Sequence, residues 1–282
     1  LMLPRARVSS IRINEVLKTK PNIKDPSQPQ PFKSTGEIEF KNVSFTYPDA
    51  SANVLEKLSF KINKGETFAI IGQTGSGKTT LANLILRFFD ASEGEILIDG
   101  VNVKDIRQKD LYKRIGYVPQ KSVLFTGTVT DNIAYGNPSL DSEKVEEAAR
   151  VACAHEFISE MNEGYDTPIA QGGKNISGGQ KQRLSIARAV AINPEIYLFD
   201  DSFSALDYKT DAEVRKNLKE YASEATKIIV AQRIGTIIDA DKIIVLEDGA
   251  MVGYGNHDQL LKECQVYRDI ALSQLSEEEL GL

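Results

Sequence analysis

Residues 72–79 read Gly72-Gln73-Thr74-Gly75-Ser76-Gly77-Lys78-Thr79, an uninterrupted match to G-x-x-x-x-G-K-[ST], and few short sequences restrict a fold as tightly. In this pattern glycines let backbone N–H groups wrap phosphate oxygens, the Lys reaches the β and γ phosphates, and a Ser or Thr opens a helix whose N-terminus favours anions. A strand must lead into such a loop and a helix must leave it. The sequence predicts both: 68–71 is the apolar run Phe-Ala-Ile-Ile, and 79–89 has helical length and composition. The implied ligand is ATP or GTP. Lys78 would sit beside the β and γ phosphates, Thr79 would offer its hydroxyl to Mg²⁺, and Thr80 completes the candidate phosphate-binding set.

Short β-branched runs recur at 115–118, 196–199, 227–230 and 243–246, as expected of strands covered on both faces of a mostly parallel sheet. Ahead of the loop, Ile38, Phe40, Val43 and Phe45 alternate with one break in phase and 57–62 continues similarly, which predicts an antiparallel β layer. Residues 129–161, notably 142–154, turn to helix formers and predict a helical insertion. Pro21, Pro26, Pro29 and Pro31 lie in a polar stretch that reads as an extended linker. The expected organisation is therefore an N-terminal helical segment over 1–20, a linker over 21–35, one α/β domain over 36–275 with a helical part at about 127–190, and an acidic tail over 276–282.

Bulk properties narrow the function classes. A net charge of −6 in 282 residues argues against an extended nucleic-acid footprint, so no nucleic-acid partner is expected. Cys153 and Cys264 have neither metal-ligand nor redox spacing and read as plain thiols. No stretch approaches the roughly 18 to 20 consecutive apolar residues needed to span a bilayer, and no signal-peptide apolar region opens the chain.

Downstream, Asp200 closes the apolar run Ile196-Tyr197-Leu198-Phe199, where a carboxylate can hold a Mg²⁺ shell. Before it stands Ser177-Gly178-Gly179-Gln180, followed by Lys181-Gln182-Arg183. With the phosphate loop and Asp200, this tetrad resembles the signature of the ABC ATPase family, and the resemblance extends over about 37–272. It implies a P-loop NTPase of the ABC ATPase fold, with a RecA-like mostly parallel core, an antiparallel β subdomain and a helical subdomain. It further implies that the signature caps the γ phosphate of ATP bound to an opposing subunit, so that two chains sandwich two nucleotides. The glycines permit close backbone approach there, and Ser177 also serves as a helix cap. Other family elements follow in order: Tyr47 for adenine stacking, Gln120 as a Mg²⁺ ligand alongside Thr79 and Asp200, and Ser204-Ala205-Leu206-Asp207 as the D-loop. The run 124–133 after Gln120, and 10–17 near the start, resemble exporters. On that resemblance the chain is the nucleotide-binding part of a longer polypeptide with a transmembrane domain, at the cytoplasmic face of the cell membrane.

Three positions depart from the family pattern. Asp201 stands where Glu normally polarises the attacking water, and is one methylene shorter. Gln232 stands where His normally contacts the γ phosphate. Ala170-Gln171-Gly172-Gly173 replaces Gly-Glu-Arg-Gly, which loses two charges. Misplacing a general base by about 1 Å can cost on the order of a hundredfold in rate, and losing a transition-state donor about 10² to 10³. The candidate catalytic pair Asp201 and Gln232 therefore predicts slow hydrolysis, as in the degenerate half of a heterodimeric exporter whose partner half supplies the competent groups. The alternatives are a competent homodimeric exporter, a non-transport ABC ATPase, and an ATP-dependent dimerisation module without turnover.

Overall fold

In the parallel sheet, odd and even residues of each strand feed two different hydrophobic cores, which is why the strands read as continuous apolar runs. Phe68, Ile70, Leu198, Ile228 and Leu246 pack into one core, while Ala69, Ile71, Phe199, Ile229 and Val245 pack into the other. A side-chain period of two with both faces covered leaves little room for polar residues inside a strand, and the buried Lys227, in the run 227–230, donates from its ammonium to the Ala222 carbonyl.

The computed structural model describes residues 2–31, 33, 35–48 and 50–280. Positions 32 and 34 of the expected linker, 281 and 282 of the expected acidic tail, and residues 1 and 49 lie outside the described residues. In chain order the elements are α1 (Met2–Lys18), β1 (Ile38–Phe45), β2 (Leu55–Ile62), β3 (Thr67–Gly72), α2 (Lys78–Ile85), β4 (Glu93–Ile98), β5 (Val101–Asn102), α3 (Gln108–Tyr112) and β6 (Ile115–Val118). There follow β7 (Gly127–Thr128), α4 (Val129–Ile133), α5 (Ser142–Val151), α6 (His155–Ser159), β8 (Pro168–Ile169) and α7 (Gly178–Ala191). The last third holds β9 (Ile196–Asp200), α8 (Tyr208–Tyr221), β10 (Thr226–Val230), α9 (Ile234–Ile237), β11 (Lys242–Glu247), β12 (Ala250–Gly255), α10 (His257–Glu263), α11 (Gln265–Leu272) and α12 (Glu277–Leu280).

The main sheet runs β12-β11-β3-β10-β9-β6, parallel throughout except for the antiparallel edge strand β12. A second, antiparallel sheet runs β2-β1-β4-β5. The break in phase between Phe40 and Val43 is an irregularity in the β1 register, with Asn42 in the left-handed region at φ 50°. Such a bulge inserts an unpaired residue and turns Val43 back to the buried side. Phe40, Phe60 and Phe68 stack in series and join the two sheets through one core, against which α2 also packs. Residues of α4 to α11 join the core on the other face of the main sheet, with α7 against β6 and α4 and α5 packed on α7.

Two expectations need correction in detail. Helix α2 stops at Ile85 rather than continuing to Phe89, because Arg87 adopts φ 52° and turns the chain. The proline-rich stretch holds no helix or strand among its described residues, and it does not run free: Lys24, Asp25 and Gln30 are hydrogen-bonded to the domain. Among the described residues no helix is long and apolar enough to cross a membrane.

Candidate functional site

Strand order alone gathers the site. Val230 of β10 lies opposite Ile70 of β3 on one side and Asp200 of β9 on the other, while Val118 at the end of β6 lies opposite Phe199. The phosphate loop, Asp200-Asp201, Gln120 and Gln232 therefore all leave the sheet at its carboxyl edge, where open α/β sheets bind ligands. A cavity of about 220 Å³ opens there, lined by Lys78, Thr79, Gln120, Asp200, Asp201 and Gln232 among others.

The loop needs its glycines. A Cβ on Gly72 would stand 2.2 Å from the Leu246 carbonyl oxygen, and one on Gly77, at φ 98°, would stand 2.6 Å from Leu55 Cδ2. Thr74 and Gly75 line the cavity, and the Gln73 carbonyl accepts from the Ser76 N–H at 3.2 Å. Lys78, 8 % exposed, donates from Nζ to the carbonyls of Gly72 and Gln73, each at 2.8 Å. Burial lowers its pKa, against the raising influence of Asp201 and Asp200. Among the described residues Ser76 Oγ is buried with no hydrogen-bond partner, so the cradle contains a polar atom of the kind a phosphate oxygen would satisfy.

Thr79 donates from its hydroxyl to Asp200 Oδ1 at 3.2 Å, which sets two hard oxygen donors together as Mg²⁺ requires. Among the described residues no group of three or more His, Cys, Asp or Glu side chains could hold a metal. Thr79 and Asp200 stand together, and Gln120 and Asp201 line the same cavity.

Asp201 sits in the left-handed region at φ 49° and is 8 % exposed. Its Oδ2 accepts from Gln120 Nε2 at 3.0 Å and from Gln232 Nε2 at 2.7 Å. Burial pushes the carboxyl groups of Asp201 and Asp200 above the ordinary carboxylate range, with the Gln120 bond opposing the shift at Asp201 and the Thr79 bond at Asp200.

Tyr47 makes edge contacts with Phe45 and Phe89, at 4.8 and 5.2 Å between centroids, and its hydroxyl lies 3.0 Å from Thr80 Oγ1. It stands beside the first turn of α2 and does not line the 220 Å³ cavity.

The signature residues are likewise outside that cavity. Ser177 caps α7: its Oγ accepts from the Gln180 N–H at 3.3 Å, while Gln180 Oε1 accepts from the Ser177 N–H at 3.0 Å. Ser177 and Gly178 are exposed, no atom lies within 4 Å of a Cβ built on Gly178, and one built on Gly179 would meet the Ala205 carbonyl oxygen at 3.6 Å. Asp207 caps α8 through the Thr210 N–H and hydroxyl, at 3.0 and 2.8 Å, and the backbone bond lowers its pKa.

Two residues given no role from the sequence connect these parts. Gln182, 2 % exposed inside α7, accepts from Ser122 and donates to the Pro119 carbonyl, which ties the signature helix to both sides of Gln120. Arg233 donates to the carbonyls of Ser204 and Leu206 at 3.1 and 3.3 Å and so holds the D-loop beside Gln232. The polar pair in Lys181-Gln182 leaves no periodic signal that distinguishes a buried Gln from a solvated one.

Fold and loop together define a P-loop nucleotide-binding domain. The sequence profile of ABC transporters matches residues 55–204, and the chain belongs to the ABC transporter family, of which it is an ATP-binding domain. It is 45 % identical over 279 residues to an uncharacterised ABC transporter ATP-binding protein of Mycobacterium tuberculosis, covering 97 % of this chain and 47 % of the relative. It is 44 % identical over 244 residues to a putative multidrug export ATP-binding/permease protein of Staphylococcus aureus, covering 86 % and 42 %. In structure it is similar to a bacterial Atm1-family ABC exporter with ATP bound, with a TM-score of 0.89, 37 % identity, and coverage of 95 % of this chain and 47 % of that one. The chain spans about half the length of the curated relatives it matches.

Proposed function

We propose that the chain is the nucleotide-binding part of an ABC exporter half, and that its own site holds ATP with Mg²⁺ and cleaves it slowly. The observation that carries this reading is the amide clamp on Asp201: one carboxylate oxygen takes both Gln120 and Gln232. A general base must reach the water proton within about 2.6 to 3.2 Å. Asp201 reaches one methylene less far than the Glu usual at that position in the family, and Gln232 beside it is an amide that neither takes up nor releases a proton as a His would. Lys78, Thr79, Asp200 and Gln120 are assigned to phosphate and Mg²⁺, with Tyr47 assigned to the base.

On this reading residues 36–275 form the ATP-binding domain, and residues 1–20 lead from the last membrane helix of a transmembrane domain in the same polypeptide. That arrangement is supported by relatives twice the length of the chain, one of them named as an export ATP-binding/permease protein. Ser177 to Gln180, of which Ser177 and Gly178 are exposed and all of which lie outside the chain's own cavity, serve the site of a second half-transporter whose Glu and His do the cleavage. The assembly lies with its ATP-binding domains at the cytoplasmic face of the cell membrane.

The test is single-turnover ATP hydrolysis by the purified chain at dimerising concentration, beside the double variant Asp201→Glu/Gln232→His, with bound nucleotide quantified in both. ATP retained uncleaved by the wild type and cleaved by the variant is the expected result. Comparable cleavage by both replaces this reading with a competent homodimer.

A further inference from the structure

The helix that leaves the phosphate loop ends on an unusual residue. Arg87 N–H bonds the Leu84 carbonyl at 3.0 Å and Phe88 N–H bonds the Asn83 carbonyl at 2.9 Å, the bond pair of a Schellman cap, with Arg87 in the left-handed position at φ 52°. Glycine fits that position without strain, whereas any Cβ there crowds the backbone. The arginine side chain supplies what glycine lacks. Buried to 4 % exposure, it donates from Nη2 to the Lys24 carbonyl at 3.0 Å, from Nη1 to the Ile106 carbonyl at 3.1 Å and from Nε to Asp90 Oδ1 at 3.1 Å. A planar guanidinium can serve three acceptors in three directions, which an ammonium at the end of a flexible stem does less well.

The Lys24 carbonyl belongs to the proline-rich stretch, which is fastened at two further points. Helix α3 has no cap of its own, because Arg107 at its N-cap offers no side-chain acceptor, and Asp25 Oδ1 instead accepts from the Gln108 N–H at 2.9 Å. Gln30 N–H donates to the Asp105 carbonyl at 2.9 Å. Closer to α1, Pro21 and Ile23 wall a cavity of about 660 Å³ whose other side includes Phe45 and Phe89, the two rings that hold Tyr47. The stretch therefore bonds the residue that ends the helix beginning with Lys78 and Thr79, and shares a cavity with the aromatic group that holds Tyr47.

We propose that residues 21–30 form a strap whose docking is coupled to nucleotide at the phosphate loop, with Arg87 as the positioning residue between them. The inference needs only that ATP binds this loop, and it holds whether or not the ATP is cleaved. Coupling of this kind is reciprocal: if ATP tightens the strap, the strap tightens ATP by the same factor. The side chains of 6–18 in α1 are exposed, and the strap is the segment that joins that helix to the domain.

The test measures Mg²⁺–ATP affinity together with backbone hydrogen exchange in the 282-residue chain and in Asp25→Ala, Arg87→Lys and Arg87→Gly. In the wild type, saturating Mg²⁺–ATP is expected to slow exchange at the Gln30 and Gln108 amides. All three variants are expected to bind ATP at least about fivefold more weakly and to lose that slowing. Asp25 is exposed, so its variant leaves the core intact. Arg87→Gly relieves the left-handed strain while deleting the fork, so a role in capping alone predicts a higher melting temperature with unchanged ATP affinity. ATP affinities within about twofold of wild type in all three variants, with the Gln30 amide exchanging freely, would overturn the proposal.

Discussion

Gln232 Nε2 donates to Asp201 Oδ2 across 2.7 Å, so two of the positions that depart from the family pattern are in contact with each other. Neighbours in one hydrogen-bond network do not act independently, and paired catalytic groups are strongly non-additive. Gln232→His alone leaves a carboxylate that is still short, and Asp201→Glu alone leaves a longer carboxylate beside an amide. Each single variant is expected to change the single-turnover rate by less than about tenfold, and the double variant to raise it by about 10² to 10³. Full recovery in either single variant would show that one position limits the site by itself.

Burial raises the pKa of Asp201 above its unfolded value, which fixes the sign of its pH dependence. A carboxyl with a raised folded pKa binds more protons folded than unfolded between the two values. Its contribution to stability is present below the unfolded value of about 3.9 and is lost as pH rises through the folded one. Asp201→Asn keeps an acceptor for the Gln120 and Gln232 amides and removes the buried charge. It is expected to melt higher than wild type at pH 7, by about 2 to 4 °C for a domain of this size, with the gain shrinking as pH falls through the raised folded value towards about 3.9. Melting curves from pH 4 to 8 decide it, and a gain independent of pH would assign the effect to packing.

Much of this site was legible because it is local or because burial leaves a periodic trace. The phosphate loop is contiguous, β3, β9, β10 and β11 each carry a run of at least three consecutive apolar residues, and the bulge after Phe40 announces itself as a lost beat in the alternation. Other features have no such trace. β12 reads Ala-Met-Val-Gly-Tyr-Gly, a partly exposed edge strand with two glycines, and β4 opens on Glu-Gly. The stop of α2 is hidden because an Arg stands where a Gly would have signalled it. The meeting of Gln120 and Gln232 on Asp201 depends on β10 lying between β3 and β9, an order that no short window of sequence contains.

Tyr47 separates two kinds of contact that one substitution would confuse. Its hydroxyl touches Thr80 at 3.0 Å, while its ring is held edge-on by Phe45 and Phe89. Tyr47→Phe removes only the first and is expected to leave ATP affinity within about twofold. Tyr47→Leu removes the π face, and stacking of a base on an aromatic ring is worth about 1 to 3 kcal/mol, which is about fivefold to a hundredfold in affinity. Titration of a fluorescent ATP analogue measures both, and equal losses would return Tyr47 to a purely structural part in the aromatic cluster.

Ser177 offers the sharpest test of whether the two composite sites differ. It is exposed and holds a reciprocal cap with Gln180, so Ser177→Arg fills the space next to Gly178 but also removes a cap worth about 0.5 to 2 kcal/mol. Ser177→Asp keeps a capping oxygen and presents a negative charge to any phosphate brought against α7. In a mixed dimer with a partner carrying the usual Glu and His, both variants are expected to remove most ATP hydrolysis, whereas Asp201→Asn removes much less. The purified chain carrying Ser177→Asp should still bind ATP in its own cavity, because no signature residue lines it, and should melt close to the wild type. Equal losses from Ser177→Asp and Asp201→Asn in the mixed dimer would mean that both sites cleave, and the asymmetric assignment would fall.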